Sequence, residues 1–472
     1  MAQTQAQNGR PFRIIVVGAG LTGLVAANCL QKLGIDHVVL EKGNIAPLKG
    51  GIALWPHSLR ILYQLGVLEE IKKVAKPCRG FKGYGADGRK VYDTQMYHCI
   101  EENHGAGMWP IERTDLLQIL YDNLPDKSSV KTKVNITDIK QFRDRVEVEL
   151  ADGTIETGDM IIGADGVHTI VRNYMWDHAA KVSPGLITSA EKTSKYRPTW
   201  SETLIVTTPP IPELGYRDIV ITFQNKFNFL FTCTHQAVWA VVVFQYDEPL
   251  THPHRKRYTD ADAEALAKRV LDKPITDQLV FADVWKRRRE PPRVVMLQEG
   301  VLENWHHGRI CLVGDAAHKA HPNIALGGNT GIEDVAQLMN QISRGVDASP
   351  HKRPSATALD GIFEAYQNEQ KPRVKHIVNL SGQAARMHFS YTPIHKFLGN
   401  WVYPWIKDKW QAAYIGQYFS SASKLEFLPS KGFPAGKKSW LSDVDDETES
   451  QDSEQGFKQN QTEAGVKEIL AY

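Results

Sequence analysis

Gly18-Ala19-Gly20-Leu21-Thr22-Gly23 is the first place where residue types and spacing could do chemistry. A GxGxxG suits a pyrophosphate when it joins a strand to a helix. Gly18 allows the tight turn, Gly20 lets the backbone approach the phosphates, and Gly23 permits close helix–strand packing. The helix start adds free N–H groups and a positive dipole end. Glu41 follows Gly23 by 18 positions and could accept hydrogen bonds from the two ribose hydroxyls of an adenosine. It also argues against a 2'-phosphate at this site, since two negative charges would face each other.

Two further stretches carry turn glycines beside an acid: Ile161-Ile162-Gly163-Ala164-Asp165-Gly166, and Gly314-Asp315-Ala316-Ala317-His318 followed by Gly327-Gly328-Asn329. Gly314 fits a tight strand-to-helix turn. Gly327 and Gly328 would let backbone N–H groups approach a ligand. His318 and His321 have the chemistry of metal ligands, but their place in this motif makes them flanking residues, and no metal is expected.

The surrounding elements must hold these stretches in place. Phe12 to Val17 reads as a buried parallel strand, Leu21 to Leu33 as a helix stopped by Gly34, and His37 to Leu40 as a second strand. This β-α-β opens a doubly wound sheet. Helices are predicted from Pro56 to Gly66, Thr114 to Leu124, Gly331 to Ile342, and Ala356 to Met387 with a kink at Pro372. Val134 to Gly158 alternates as a hairpin or meander. Thr203 to Gln245 is strand-rich and aromatic, which predicts an antiparallel sheet on a second domain. Met160 to Ile162 and Arg309 to Val313 are strands that lead into the second and third motifs.

The chain has 472 residues, 42% of them hydrophobic and 23% charged, with a net charge of +2. That fits a globular protein of two or three domains. No basic stripe with interleaved aromatics suggests nucleic acid. The five cysteines share no CxxC spacing, which points to a reducing compartment. The polar N-terminus lacks a signal-peptide core, and no apolar run could span a membrane. The expected location is cytoplasmic, with peripheral contact to an internal membrane left open, and not secreted.

Together the three motifs, in order and at about the right spacing from Phe12 to roughly Pro372, resemble the fingerprints of single-component FAD-dependent monooxygenases. The family resemblance implies an α/β fold with a Rossmann-type FAD-binding domain of the glutathione-reductase-like, hydroxylase type. An antiparallel-sheet substrate domain and a helical C-terminal region complete it. It implies non-covalent FAD, NADPH or NADH as co-substrate, and O2. Reduced flavin in the family gives a C4a-hydroperoxide that donates oxygen. Residue by residue, the resemblance assigns Gly18, Gly20, Gly23 and Glu41 to the adenosine pyrophosphate. Asp315 falls to a ribityl hydroxyl, Gly327 and Gly328 to the isoalloxazine carbonyls, and Arg113 to FAD. Asp165 of the second fingerprint is assigned to the cofactor as well, and Arg172 there is a candidate nicotinamide contact. Ala53 stands where the family often has glycine. Ala325-Leu326-Gly327 departs from the usual Gly-Gln-Gly, and His57 replaces the usual Asn after Pro56.

The resemblance is nearest to fungal meroterpenoid and indole-diterpene epoxidases and hydroxylases, through Gly34 to Glu41, Ala46-Pro47, Leu65-Gly66-Val67 and Gly314 to Lys319 with Pro322-Asn323. It implies a small hydrophobic, prenylated substrate. Aromatic-ring hydroxylation, prenyl-chain reduction and a non-catalytic prenyl-lipid escort role are the alternatives. Tyr216, after the loop Pro212 to Gly215, is carried over as the candidate catalytic or substrate-contacting residue. The aromatic stretch 397–419, with Trp401, Trp405 and Trp410, could pack on the flavin domain or touch a membrane interface.

The expected boundaries are 1–80, 150–185 and 295–375 for the discontinuous FAD domain. Residues 81–149 and 186–294 form the substrate domain, with an intervening flavin-domain hairpin. A helical region at 376–440 and a disordered acidic tail at 441–472 complete the chain.

Overall fold

The computed structural model describes residues 10–46, 50–194, 199–250, 257–388 and 392–443. Buried β-branched runs make the first sheet. Its six strands run in the order His306–His307, Ile310–Leu312, Met160–Gly163, Arg13–Val17, Asp36–Leu40, Val130–Lys131, and every pairing is parallel except the first. Val17 pairs with Gly163, and Gly163 with Leu312. The three sequence motifs therefore leave the carboxyl ends of three adjacent strands at one level. Open α/β sheets bind ligands at such an edge.

Helix Leu21–Leu33 stops at Gly34, which takes the left-handed conformation. It crosses helix Gly327–Ala348, and a Cβ on Gly331 would stand 2.6 Å from Thr22 Cγ2. The meander Ile136–Gln141, Val146–Leu150, Ile155–Gly158 is antiparallel, as its alternation predicts. Helix Arg113–Asp122 buries Leu116, Leu117 and Leu120 in the core of the first sheet. The stretch from this helix to Val130–Lys131 thus belongs with the flavin-side core, not with the substrate layer where 81–149 was expected. The cause is the parallel pairing of Val130 with Val39, a contact between distant parts of the chain.

A second, seven-stranded sheet runs Arg293–Leu297, Thr199–Thr208, Val238–Leu250, Phe227–Cys233, Asp218–Phe223, Gly80–Tyr84, Lys90–Thr94. Its period of two separates two faces. Leu204, Val206, Phe229, Phe231, Val242 and Phe244 pack with Phe281, Val284 and Trp285 of helix Phe281–Lys286. Thr203, Ile205, Leu230, Thr232, Trp239 and Val241 face the other way, into a cavity.

Helix Ala356–His388 is continuous through Pro372 and crosses the expected boundary at 375. Its first half packs Leu359, Phe363 and Tyr366 into the flavin-side core, while Leu380, Ala384 and Met387 reach the cavity. Short helical turns then lead to helix Asp408–Ser420, which lies against Met96–His104. The expected tail began at 441, but ordered packing runs through Asp443. Asp443 pairs with Arg60 and, at 2.9 Å, with Lys424, while Arg60 Nη1 donates to Ser442 Oγ at 3.0 Å. The remaining tail residues, 444–472, lie outside the described residues.

Candidate active site

A single cavity of about 1240 Å³ joins the motif edge of the first sheet to the open face of the second. It exceeds the roughly 300–1,000 Å³ typical of one small-molecule site, so a cofactor and a second molecule could share it. At the motif end, φ is +102° at Gly18, and a Cβ there would meet Ala164 O at 2.6 Å. A Cβ on Gly23 would fall 1.8 Å from Gly18 O, so only glycine lets this helix start so close to the strand. At Gly20 a Cβ would meet nothing within 4 Å, which leaves its backbone facing open space. The same cavity is lined by Leu21 and Thr22 of one helix start and by Gly327, Gly328 and Gly331 of another. Two positive dipole ends and a glycine-walled cleft fit the phosphates and carbonyls of an FAD.

The two acids are held differently, Glu41 by backbone donors and Asp315 by a lysine. Glu41 Oε2 accepts the Ala19 N–H at 2.8 Å, and Oε1 accepts the Gly43 N–H at 2.7 Å. This fixes the carboxylate under the glycine loop, with lone pairs left for ribose hydroxyls. Asp315 lines the cavity, half-buried, and is ion-paired with Lys319. The Asp315 turn is held from behind: Asp334 Oδ2 accepts the Gly314 N–H at 2.8 Å and lies 2.6 Å from His318 Nε2. His318 is thus committed to a buried carboxylate.

Arg113 lines the cavity, and its N–H donates to Gly50 O at 2.7 Å. Enclosure lowers its pKa somewhat, and the Asp315 charge works against that. Ala53 is a wall residue in strand Gly51–Leu54, paired with Trp109–Glu112. Asp165 behaves differently. Its Oδ2 accepts the Ile170 N–H at 2.7 Å at the start of the next helix, and burial raises its pKa. Ala164, Gly166 and Val167 line the cavity; the Asp165 side chain serves the turn.

Two readings are corrected by geometry. Tyr216 is 53% exposed and is not on the cavity wall. Positive φ at Gly215 and at Arg217 reverses the chain on both sides of it, so strand alternation does not reach it. Arg172 is buried, donating to Ala316 O at 3.0 Å and Val167 O at 3.1 Å, so it ties the second motif to the third and offers nothing to a coenzyme.

Other residues emerge only in three dimensions. The Asn329 amide accepts the Trp55 N–H at 2.8 Å and donates to Ala53 O at 2.8 Å, clamping the Ala53 strand to the glycine helix start. Trp239 of the second sheet lies over Gly51, where a Cβ would come within 2.2 Å of the ring, and its Nε1 donates to Glu112 at 3.2 Å. The far end of the cavity is aromatic: Trp55, Phe81, Tyr97 and Tyr403 line it, with Trp55 and Tyr97 centroids 5.9 Å apart. Tyr403 Oη donates to Gln411 at 2.9 Å. Burial pushes the phenols of Tyr97 and Tyr403 up, so both stay protonated. The sequence offered a signal for Asn329, which sits inside the third motif, but none for the pairing of Trp239 with Gly51.

The fold, the three motifs on one sheet edge and the glycine cleft define a flavin-binding oxidoreductase. Residues 12–381 match the FAD-binding domain family, and the chain belongs to this family of FAD-dependent monooxygenases. It is 36% identical to the FAD-dependent monooxygenase DEP2 of Alternaria brassicicola, over 89% of this chain and 80% of that one. It is 32% identical to the FAD-dependent monooxygenase olcE of Penicillium canescens, over 89% and 90%. Among solved structures, Klebsiella pneumoniae HpxO complexed with FAD and uric acid superposes with a TM-score of 0.70 at 19% identity, covering 86% of this chain and 96% of that one. The tetracycline destructase Tet(51) superposes at 0.60 and 17% identity, over 87% and 97%.

Proposed function

We propose that this FAD-dependent monooxygenase places one atom of O2 on a hydrophobic, prenylated secondary metabolite, with NADPH or NADH as reductant and water as the second oxygen product. Bound FAD would supply the reaction with O2 and the oxygen transfer. Glu41, Asp315, Gly327 and Gly328 would hold it. Arg257 and Arg293, which line the same cavity, offer positive charge to the coenzyme's phosphates. The relatives named above are fungal monooxygenases, which supports a substrate of fungal secondary metabolism.

One observation carries the choice of chemistry. Among the described lining residues Asp315 is the sole carboxylate, and Lys319 holds it at the flavin end. Ionising a phenol calls for a base beside the substrate. The aromatic end offers protonated tyrosines, and the lining imidazoles of His388 and His395 have Nδ1 engaged with Asn323 and Thr392. Epoxidation of an isolated olefin needs apolar positioning and a hydrogen-bond donor, which Trp55, Phe81, Tyr97 and Tyr403 can supply. We therefore favour epoxidation over aromatic hydroxylation.

The test is turnover of prenylated aromatic candidates with NAD(P)H under 18O2, followed by mass spectrometry. One 18O per product, on the prenyl chain, supports the proposal. Oxygen on an aromatic ring would favour the hydroxylase reading. A product gaining two hydrogens without O2 uptake would mean a prenyl reductase.

A further inference from the structure

Residues 394–405 carry an apolar stripe that the fold does not cover. Ile394, Phe397, Trp401 and Trp405 are all exposed, Trp401 by 69% and Trp405 by 83%. Their spacing of three, four and four residues follows the consecutive helical turns Pro393–Phe397, Leu398–Val402 and Tyr403–Trp405, so they form one side of a single rod. The rod's other side is apolar too: Leu398, Tyr403 and Ile406 line the cavity. One short segment thus separates the cavity from solvent and is greasy on both faces. Contiguous exposed patches of this kind mark an interaction surface.

The charges around the stripe select its partner. Lys407 and Lys409 are exposed next to Trp405. The neighbouring acids are engaged elsewhere: Asp408 accepts the Gln95 N–H at 3.0 Å, and Glu102 pairs with Lys437 at 2.7 Å. Tryptophan and phenylalanine beside lysine is the composition of a segment lying in a bilayer interface. No described helix is long and apolar enough to cross a membrane, so such a segment would lie on the surface.

We infer that the 394–405 stripe docks on an anionic phospholipid surface, with Lys407 and Lys409 meeting the headgroups. Docking would place the cavity wall against the lipid, where an apolar substrate is concentrated. The inference rests on the exposed stripe and remains separable from the oxygen-transfer reading, because its readout is binding.

The test uses the full-length, FAD-loaded protein and flotation with phosphatidylcholine vesicles, with and without phosphatidylserine. Wild type should float with the vesicles, more so with phosphatidylserine, and its tryptophan emission should shift to the blue. The variant Phe397→Ser/Trp401→Ser/Trp405→Ser should lose about tenfold or more in partitioning while keeping its flavin and melting temperature. Lys407→Glu/Lys409→Glu should lose only the phosphatidylserine enhancement. Wild type that floats with neither vesicle overturns the inference. So does a lipid-independent dimer that the triple variant abolishes, since a second copy would then be the occupant. Vesicle binding that survives the triple variant also overturns it.

Discussion

Asp334 and His318, fully buried and 2.6 Å apart, form the brace behind the third flavin motif. The same carboxylate oxygen takes the Gly314 N–H, and Oδ1 takes the Gln370 amide at 2.9 Å. Asp315, one residue on, is thereby aimed at the cavity by a group that never touches it. Removing Asp334 leaves buried donors without acceptors, which costs about 3–5 kcal/mol for a broken buried pair. Asp334→Ala should therefore lower the melting temperature and reduce flavin content together. Asp334→Asn keeps the shape and loses the charge, and should fall between. Normal flavin content in a destabilised Asp334→Ala would show that the brace does not position Asp315.

Asp315→Ala should behave in the opposite way, with normal stability and weak FAD. Its ion pair with Lys319 is half-exposed and contributes little to folding. A charge-assisted hydrogen bond to the flavin chain is worth about 1.5–3 kcal/mol, or roughly ten- to a hundredfold in affinity. Flavin titration of the apoprotein measures it. Unchanged affinity would mean that Asp315 serves only Lys319.

Tyr216→Phe should leave rate, coupling and FAD binding unchanged, because the ring stands in solvent outside the cavity. Tyr403→Phe is the informative change. It removes a donor at the aromatic end while keeping the ring, so coupling of NAD(P)H to product should fall by about ten- to a hundredfold if that hydroxyl orients the reacting groups. A drop in coupling with Tyr216→Phe alone would reverse the assignment.

These cases show what was legible. The three motifs are local, and each is read from a few consecutive residues: a strand end, a turn glycine, a helix start. Their meeting at Val17, Gly163 and Leu312 follows from parallel pairing, which a doubly wound pattern already implies. Tyr216 failed because its side is set by two positive φ angles, at Gly215 and Arg217, and no hydrophobic pattern encodes them in a turn. The Trp239 lid on Gly51 joins residues 188 positions apart, and neither carries a local signal. Asp165 belongs to a legible motif, yet which of its oxygens meets a helix start is a matter of angle.

Stability should decline on mild acidification through two buried histidines, His388 on the cavity wall and His321 outside its lining. Burial pushes His388 down to about 4 and His321 to about 3. Asn323 Nδ2 lies 3.1 Å from His388 Nδ1 and donates to it, which requires the neutral ring. A histidine whose folded pKa is depressed gives full stability above its unfolded value of 6.5. The unfolded chain takes up the proton first, so stability is lost as pH falls from about 6.5 toward 4, by up to about 3 kcal/mol for His388. Melting curves between pH 7.5 and about pH 4.5 should show this slope, and His388→Gln should flatten it. An equal slope in the variant would remove His388 as the cause and assign the loss to His321 or to carboxylates.

The last prediction concerns the C-terminal anchor. Arg60 is 2% exposed, lies 4.6 Å from the Trp440 ring centroid, and pairs with Asp443. Lys424, also buried, shares that carboxylate at 2.9 Å. Asp443→Ala removes the carboxylate that both buried cations share, and breaking a buried pair costs about 3–5 kcal/mol. Asp443 itself is partly exposed, so solvent screening should bring the loss toward the lower end of that range. Asp443→Asn keeps hydrogen-bond acceptance and should recover part of it. A chain ending after Asp443 should melt like the full-length protein if the acidic remainder adds no packing, whereas one ending before Leu441 should melt several degrees lower. Equal melting of the two truncations would show that Arg60 and Lys424 are satisfied without Asp443, and that the anchor ends at Trp440.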